Sequence, residues 1–530
     1  MNAKTDAPAR IFTSSLPYPF VPNVTLPEFL LATAEDFASR PAIVDGIDGR
    51  TLTYAELADG VNRVAAAFAA RGLGPGDALA IIAPNSPEWL IACYGAMAAG
   101  AMVTGINPLY TPDEVAAQLR DSDARFILTI PAVLPIVVQA VQRAGGRTRI
   151  LVHGTAPDGT IPFGELLAGG RRPPQTRIEP DALALLPYSS GTTGLAKGVM
   201  LTHRACLTNV MQILAAMPMT PRDRVLAVAP FFHAVGFTVL AGPALMSGAT
   251  LVTLPRFDVA GFLAAIQGHR ITQTVVVPPI IQALAKHPAV DDYDLSSLRF
   301  VGCGAAPLGA GLQQACAERI GCPVIQGYGM TEVTAGIALG PADSPAAPGS
   351  SGRLLPGVRA RIVDPGTGAD RDPGDTGELW VRTPSQMTGY LGNPIATDAT
   401  VDADGWLHTG DIARFDPEGN LFIVDRAKEL IKVKGFQVAP AELEAILRNH
   451  PSVKDAAVVG IPDARAGEVP KAYVVPAQDV AARELIEYVA TRVAPYKQIH
   501  HLAFVDTIPT SPSGKTLRRL LVAAGRQQHS

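Results

Sequence analysis

Residues 188–198 read YSSGTTGLAKG and pack three glycines, four aliphatic hydroxyls and one lysine into eleven positions. Glycines let a backbone bend sharply and bring its amides close to a ligand, while hydroxyls and an ammonium add donors for anionic oxygen. Phosphate is the ligand such a loop suits. A Walker loop, GxxxxGK followed by Ser or Thr, fails from Gly191 at Ala196 and Gly198. A GxSxG serine elbow is excluded by spacing, and the Ser189-Ser190 pair lacks the serine-rich neighbourhood with an upstream lysine that an amidase needs. A glycine-rich turn without a ligand is the remaining alternative, and the loop alone does not separate it from a phosphate site.

The flanking segments say how the loop is held. DALALLP (Asp181 to Pro187) is expected to be a buried strand and GVML (Gly198 to Leu201) a second one, with Thr202 as the N-cap of a helix. Phosphate would then meet a strand-loop-strand element rather than a helix N-terminus. Upstream, ALAIIAP (Ala78 to Pro84) and AMVTGINP (Ala101 to Pro108) are strand-like and enclose a helical stretch, Glu88 to Gly100, that ends in glycine: a βαβ unit. ARFILTI (Ala124 to Ile130), ATLVTL (Ala249 to Leu254), TQTVVVPP (Thr272 to Pro279) and LRFVGCG (Leu298 to Gly304) continue the pattern. The class is α/β, with largely parallel sheets covered by helices.

After Gly340 the texture changes. Val358 to Arg382 reads as strands joined by a proline- and glycine-rich turn, a small β-rich subdomain. Beyond Asp425, IKVKGFQV is expected as one strand, and PAELEAILRNH as a proline-started helix with Leu443, Ile446 and Leu447 on one face. VKDAAVVGI and KAYVVP are strands and RELIEYVATRV a further helix. The expected division is a large N-terminal domain, residues 1–426, of packed α/β sheets plus the β-rich subdomain, and a small α+β C-terminal domain, residues 427–530.

At 530 residues the chain exceeds one ordinary core. Its net charge of -4 and lack of a basic run argue against nucleic acid as a partner. Five cysteines without a CxxC pair suggest reduced thiols, and the first twenty residues lack the apolar stretch of a signal peptide. The apolar segment Val225 to Leu254 is interrupted by Pro230, His233, Gly236, Pro243 and Gly248, so strand, loop and helix are expected there, not a membrane span. The C-terminal AAGRQQHS carries no peroxisomal SKL address; a cytoplasmic monomer or homodimer is expected.

Six further stretches join the loop: PFFHAVG (Pro230 to Gly236), GAAPLG (Gly304 to Gly309), QGYGMTE (Gln326 to Glu332), GWLHTGD (Gly405 to Asp411), VDRAKELIKVKGFQV (Val424 to Val438) and PTSPSGK (Pro509 to Lys515). In this order the chain resembles the adenylate-forming superfamily of acyl-CoA synthetases, adenylation domains and luciferases, most closely enzymes like 4-coumarate:CoA ligase. The resemblance covers nearly the whole length. It implies a mobile C-terminal domain and a two-step reaction: a carboxylic acid and ATP give an acyl-adenylate, and a thiol then takes the acyl group.

The resemblance also implies roles. Ser189, Ser190, Gly191, Thr192, Thr193 and Lys197 would hold the terminal phosphates of ATP; Glu332 would bind Mg2+, and Thr331 would lie beside the α-phosphate. Ala305, Ala306, Gln326, Gly327 and Tyr328 would frame the adenine, and Asp411 with Arg426 the ribose. Lys515 would bridge carboxylate and α-phosphate in the first half-reaction, assisted by Lys432 and Gln437. Lys428 would be the hinge through which the C-terminal domain turns to present Lys434 and Gly435 to CoA. His233 would gate the acyl pocket. Taken alone, a lysine in PSGK is an ordinary turn lysine and a histidine beside two phenylalanines an ordinary core residue; motif order reverses both readings.

The acyl pocket departs from the pattern. His233 is followed by Ala234 and Val235, where hydroxycinnamate ligases commonly carry an aromatic residue two positions on, and Gly302, Ala305, Gly327, Ala335 and Gly336 are all small. A phenol hydroxyl would lack a partner there, so an apolar acid is expected, cinnamate-like, benzoate-like or medium-chain aliphatic. CoA is the expected acceptor, with the phosphopantetheine of an acyl carrier protein as the alternative.

Overall fold

A computed structural model describes residues 10–170, 177–189, 196–341, 346–433, 436–463, 465–510 and 515–527. Four sheets organise them. In the first, strands Ala78–Ile82, Met102–Gly105, Ala124–Thr129, Arg149–Val152 and Ile161–Pro162 run parallel, and Leu183–Leu185 joins the edge beside Met102–Gly105. Lys197–Thr202 then pairs antiparallel with Leu183–Leu185. The helix Pro87–Ala98 crosses from one parallel strand to the next, and nearly every residue in it is buried. That all-round burial suits its mean composition, which has no polar face to show to water.

The second large sheet has a parallel centre, Val324–Gly329, Phe300–Cys303, Gln273–Val276, Arg224–Ala227, Thr250–Thr253 and Pro41–Asp45, with antiparallel strands at both edges. A third, antiparallel sheet orders Phe12–Thr13, Arg359–Val363, Gly377–Arg382, Leu407–Phe415 and Leu421–Arg426. One continuous apolar core joins these three sheets, running from Leu30 and Trp89 through Phe237 to Leu379 and Phe415. The fourth sheet, built on the hairpin of Val453–Asp463 with Gly467–Pro476, has a core of its own around Leu443, Leu447, Val458, Val474 and Leu485. The large N-terminal α/β body and small C-terminal α+β unit follow from these four sheets.

Thr202 caps its helix as expected, accepting from the Ala205 amide. One expectation changes. IKVKGFQV is not one strand but two, Ile431–Val433 and Phe436–Val438, paired antiparallel so that Lys432 faces Gln437. Each half, IKV and FQV, reads as strand by composition, so the sequence does not mark the reversal between them. Between Val225 and Leu254 the expected strand, loop and helix are present, and the helix opens as a π-helix, Val235–Ala241, that runs into an α-helix, Gly242–Met246. The wider π turn is a feature that frequently accompanies functional sites, and composition carries no signal for it.

His203 is buried at the start of the helix after the loop; its Nδ1 accepts from the Leu26 amide at 3.4 Å, and burial pushes its pKa down to about 4. The unfolded imidazole protonates near pH 6.5, so between these values the unfolded chain binds more protons and stability falls as pH drops. Urea midpoints are therefore expected to fall between pH 6.5 and 4, His203 contributing up to about 3 kcal/mol. His203→Gln, which keeps an acceptor for Leu26, removes the His203 share of that dependence and leaves the share of His233, whose burial lowers its pKa over the same range.

Candidate functional site

The loop's two flanking strands form the antiparallel pair the strand-loop-strand reading requires: Tyr188 lies opposite Gly198 and Ser189 opposite Lys197. Ser190, Gly191, Thr192 and Thr193 lie outside the described residues, as do Lys434 and Gly435. Ser189 Oγ donates to Glu332 Oε1 at 2.9 Å, and Tyr390 Oη donates to the same oxygen at 2.9 Å. The Lys197 ammonium sits over the Tyr390 ring, 4.3 Å from its centre. Thus the loop base and Glu332, remote in sequence, share one cluster. Tyr390 was missed in the sequence: its strand, Gly389–Tyr390, is two residues long, and only its pairing with Val199 and Met200 brings it here.

Glu332 is buried on a short 3-10 turn, Thr331–Val333, with Thr331 half-buried beside it. The turn ends at Thr334 with φ +74°, and Ala305 has φ +70°. Positive φ is costly for alanine and more so for a β-branched residue, so the surrounding contacts must hold these positions. For Thr334 the contact is its hydroxyl, donating to the Ser385 carbonyl at 2.7 Å. Gly329 is indispensable: a Cβ there would stand 1.6 Å from the Ala335 carbonyl oxygen.

Asp411 and Arg426 are direct neighbours across two antiparallel strands, with Arg426 Nε 3.2 Å from Asp411 Oδ1. Tyr328 Oη donates to Asp411 Oδ2 at 2.5 Å. Burial raises the Asp411 pKa, and Arg426, the Tyr328 hydroxyl and Lys515 pull it back. Lys515, on the C-terminal segment, has Arg426, Asp411, Glu332 and Glu429 as its charged neighbours. Its side chain opens onto the cleft while protein walls replace much of the bulk water; that desolvation, then Arg426, lowers its pKa. Residues from the second, third and fourth sheets therefore converge at one cationic centre held by carboxylates.

The loop of Phe232 and His233 lies between the two large sheets. Asn85, just past the strand Ala78–Ile82, donates to the carbonyls of Ala227 (3.2 Å) and Ala229 (3.0 Å) and accepts from the Phe231 amide at 2.8 Å. Gly105 and Gly236 permit the close approach: their Cβ atoms would stand 2.6 Å from Phe232 and 2.1 Å from the Pro230 oxygen. Nothing in the local sequence marks Asn85 as a brace. The His233 Nε2 is enclosed and has no hydrogen-bond partner among the described residues. Burial, with Lys515 secondary, drives its pKa down to about 4, so the ring is neutral at pH 7.

The remaining expected residues divide. Gly327 lies against Gly304 of the GAAPLG segment, placing Ala305 and Ala306 beside the Tyr328 strand. Gln326 spends its side-chain amide on the Leu308 carbonyl and Gln313, so it braces that segment. A Cβ at Gly302 or Gly336 would stand 2.9 Å from the Val275 or Leu355 side chain, and Ala335 is buried; Ala234 precedes the π-helix that begins with Val235. Lys428 is exposed in the turn between Arg426 and Ile431, and Lys432 is exposed on the next strand. A separate cavity of about 280 Å3, between Ile47, Leu254, Arg256 and His269, contains none of the expected residues.

Residues 30–391 match the AMP-binding enzyme family, and residues 442–515 its C-terminal domain. This chain belongs to the AMP-binding enzyme family. It is 41% identical to 4-coumarate:CoA ligase 1 of Petunia hybrida across 99% of this chain and 98% of that relative, and 41% identical to 4-coumarate--CoA ligase 2 of Nicotiana tabacum across 97% of each. Among solved structures, the anthranilate CoA ligase AuaEII in complex with anthranoyl-AMP covers 96% of this chain and 98% of its own, with TM-score 0.90 and 26% identity. ATP-bound MatB from Rhodopseudomonas palustris covers 96% and 100%, with TM-score 0.88 and 29% identity. The AMP-binding enzyme is thus an AMP-forming acid–CoA ligase of the 4-coumarate:CoA ligase-like branch.

Asn85→Ala removes three hydrogen bonds at the loop of Phe231 to His233. It is expected to lower unfolding free energy by about 1–3 kcal/mol and to raise KM for the acid more than KM for ATP. Urea denaturation with steady-state kinetics checks both.

Proposed function

We propose that this ligase activates an apolar carboxylic acid, cinnamate-like, benzoate-like or medium-chain aliphatic, and transfers it to CoA. In the first half-reaction a carboxylate oxygen attacks the α-phosphorus of ATP and pyrophosphate leaves; in the second the CoA sulfur attacks the adenylate carbonyl and AMP leaves. Two anions meet in the first step, so its barrier depends on cations fixed where charge accumulates. The observation that carries this reading is the convergence of Lys515 and Arg426 with Asp411 and Glu332. Lys515 bridges the two anions, Asp411 accepts the ribose hydroxyls with Arg426 beside it, and Tyr328 orients Asp411.

Glu332 is the residue for Mg2+. Among the described residues no group of three or more His, Cys, Asp or Glu could hold a metal, so a single carboxylate joined by phosphate oxygens and water fits a hard cation. The ion, when bound, screens phosphate charge. Ser189 and Tyr390, which donate to Glu332, hold its carboxylate in place. Tyr390→Phe is expected to raise KM for Mg2+-ATP several-fold while leaving KM for the acid near its starting value, as a titration of Mg2+ at fixed ATP would show.

Acid selection follows from the wall around His233. The relatives are named for 4-coumarate, a phenol, but Ala234 and Val235 offer a phenol hydroxyl no partner. The Nε2 of neutral His233, unpartnered among the described residues, supports a gate that meets the carbonyl end of the acid rather than its ring. Lys428 serves as hinge, and Lys434 with Gly435 lines the thiol path after rotation. Pyrophosphate release across aromatic and aliphatic acids, with and without CoA, tests the reading. Cinnamate or an aliphatic acid should match or exceed coumarate and caffeate, with CoA ester formed. A strong preference for the hydroxylated acids overturns the acid assignment, and adenylation without CoA ester overturns CoA as acceptor.

A further inference from the structure

The segment that carries Lys515 is held on both sides. Before it, Thr510 bridges Thr516 and the Leu517 amide donates to the Pro509 carbonyl at 2.8 Å. After it, the helix Arg518–Gln527 begins at once, and Tyr473 Oη donates to the Leu521 carbonyl at 3.0 Å. Arg518 itself points into the C-terminal unit: Nη2 donates to Glu444 Oε1 at 2.8 Å, Nε to the Val458 carbonyl at 3.3 Å, and Nη1 to Glu429 Oε2. Glu444 is almost fully buried and also accepts from the Val458 amide at 2.9 Å.

Glu429 connects these contacts to the site. It follows Lys428 directly, and it is one of the charges that act on Lys515. An unpaired Glu429 would draw the Lys515 ammonium away from Asp411 and Glu332. With Arg518 on it, Glu429 is neutralised and tied to the tail. A guanidinium fork suits this task because it satisfies two carboxylates and a carbonyl from one plane, which an ammonium cannot.

We infer that Arg518 is a positioning residue for Lys515: it clamps the terminal segment to Glu444 and Glu429 so that the ammonium is presented to the adenylation centre. This rests on the reading of Lys515 as the cation of the first half-reaction. Glu429, Glu444, Val458 and Arg518 all lie after Lys428, so the clamp turns with the C-terminal unit and is not itself broken by rotation. Loosening it should harm only the step that uses Lys515.

The test compares Arg518→Ala, Arg518→Lys, Lys515→Ala and the double variant Lys515→Ala/Arg518→Ala in two assays: pyrophosphate release with the best acid of the panel, and CoA-ester formation from its supplied acyl-adenylate. Melting temperature is followed throughout. Arg518→Ala is expected to slow pyrophosphate release about 10- to 100-fold while thioester formation stays near the wild-type rate. Arg518→Lys recovers part of the loss, and the double variant is no slower than Lys515→Ala alone, because both changes remove the same contribution. Where Arg518→Ala does not fold, Arg518→Lys carries the comparison. Equal losses in both assays for folded variants, or a double variant slower than Lys515→Ala by the full Arg518 factor, overturn the positioning role. Unchanged pyrophosphate release in Lys515→Ala instead overturns the reading of Lys515, whatever Arg518 does.

Discussion

The constraint on which the structure depends is the crowding of charge around Lys515. Two cations, Lys515 and Arg426, occupy one cleft with two buried carboxylates, Asp411 and Glu332. Two of these groups are costly there by themselves: desolvation lowers the lysine's pKa and raises that of Asp411. Together they offset one another, which is how low-dielectric charge is normally tolerated. Such a centre is prepared for anions, since its cations stand beside buried carboxylates before a substrate arrives.

The fold supplies that fixity by different means at different points. Backbone register alone sets Asp411 against Arg426, because the two lie opposite each other in one antiparallel ladder. Glu332 depends on a strained turn, held by the Thr334 hydroxyl and by a glycine at 329 whose side chain could not exist. His233 depends on a side-chain brace, Asn85, reaching from one large sheet to the loop of the other. Lys515 is the exception: it comes from the fourth sheet's unit, with a separate core and only the short segment around Lys428 in the chain between. The group with the most demanding position therefore comes from the unit with the separate core.

Much of this was legible in the sequence. The βαβ order, the strands about the glycine loop and the Thr202 cap follow from periodicity and end signals, which are local properties. Motif order led to Glu332, Asp411, Arg426 and Lys515, and these four do meet. What was not legible is pairwise and long-range. Tyr390 reaches Glu332 across 58 residues and Asn85 reaches Phe231 across 146, and no pattern near either marks the contact. The reversal inside IKVKGFQV was hidden because each half has strand composition, and the π-helix because apolar runs read alike in several periods.

The central claim is that Lys515 serves one half-reaction and is absent from the other. The direct measurement is Lys515→Ala assayed step by step under single-turnover conditions: acyl-adenylate formation from acid and ATP, and CoA-ester formation from purified acyl-adenylate. The account predicts that the first rate falls by at least about a hundredfold, as for loss of a group that acts on developing charge, while the second is nearly unchanged. Equal loss of both rates, or a first step that keeps its speed, would contradict it.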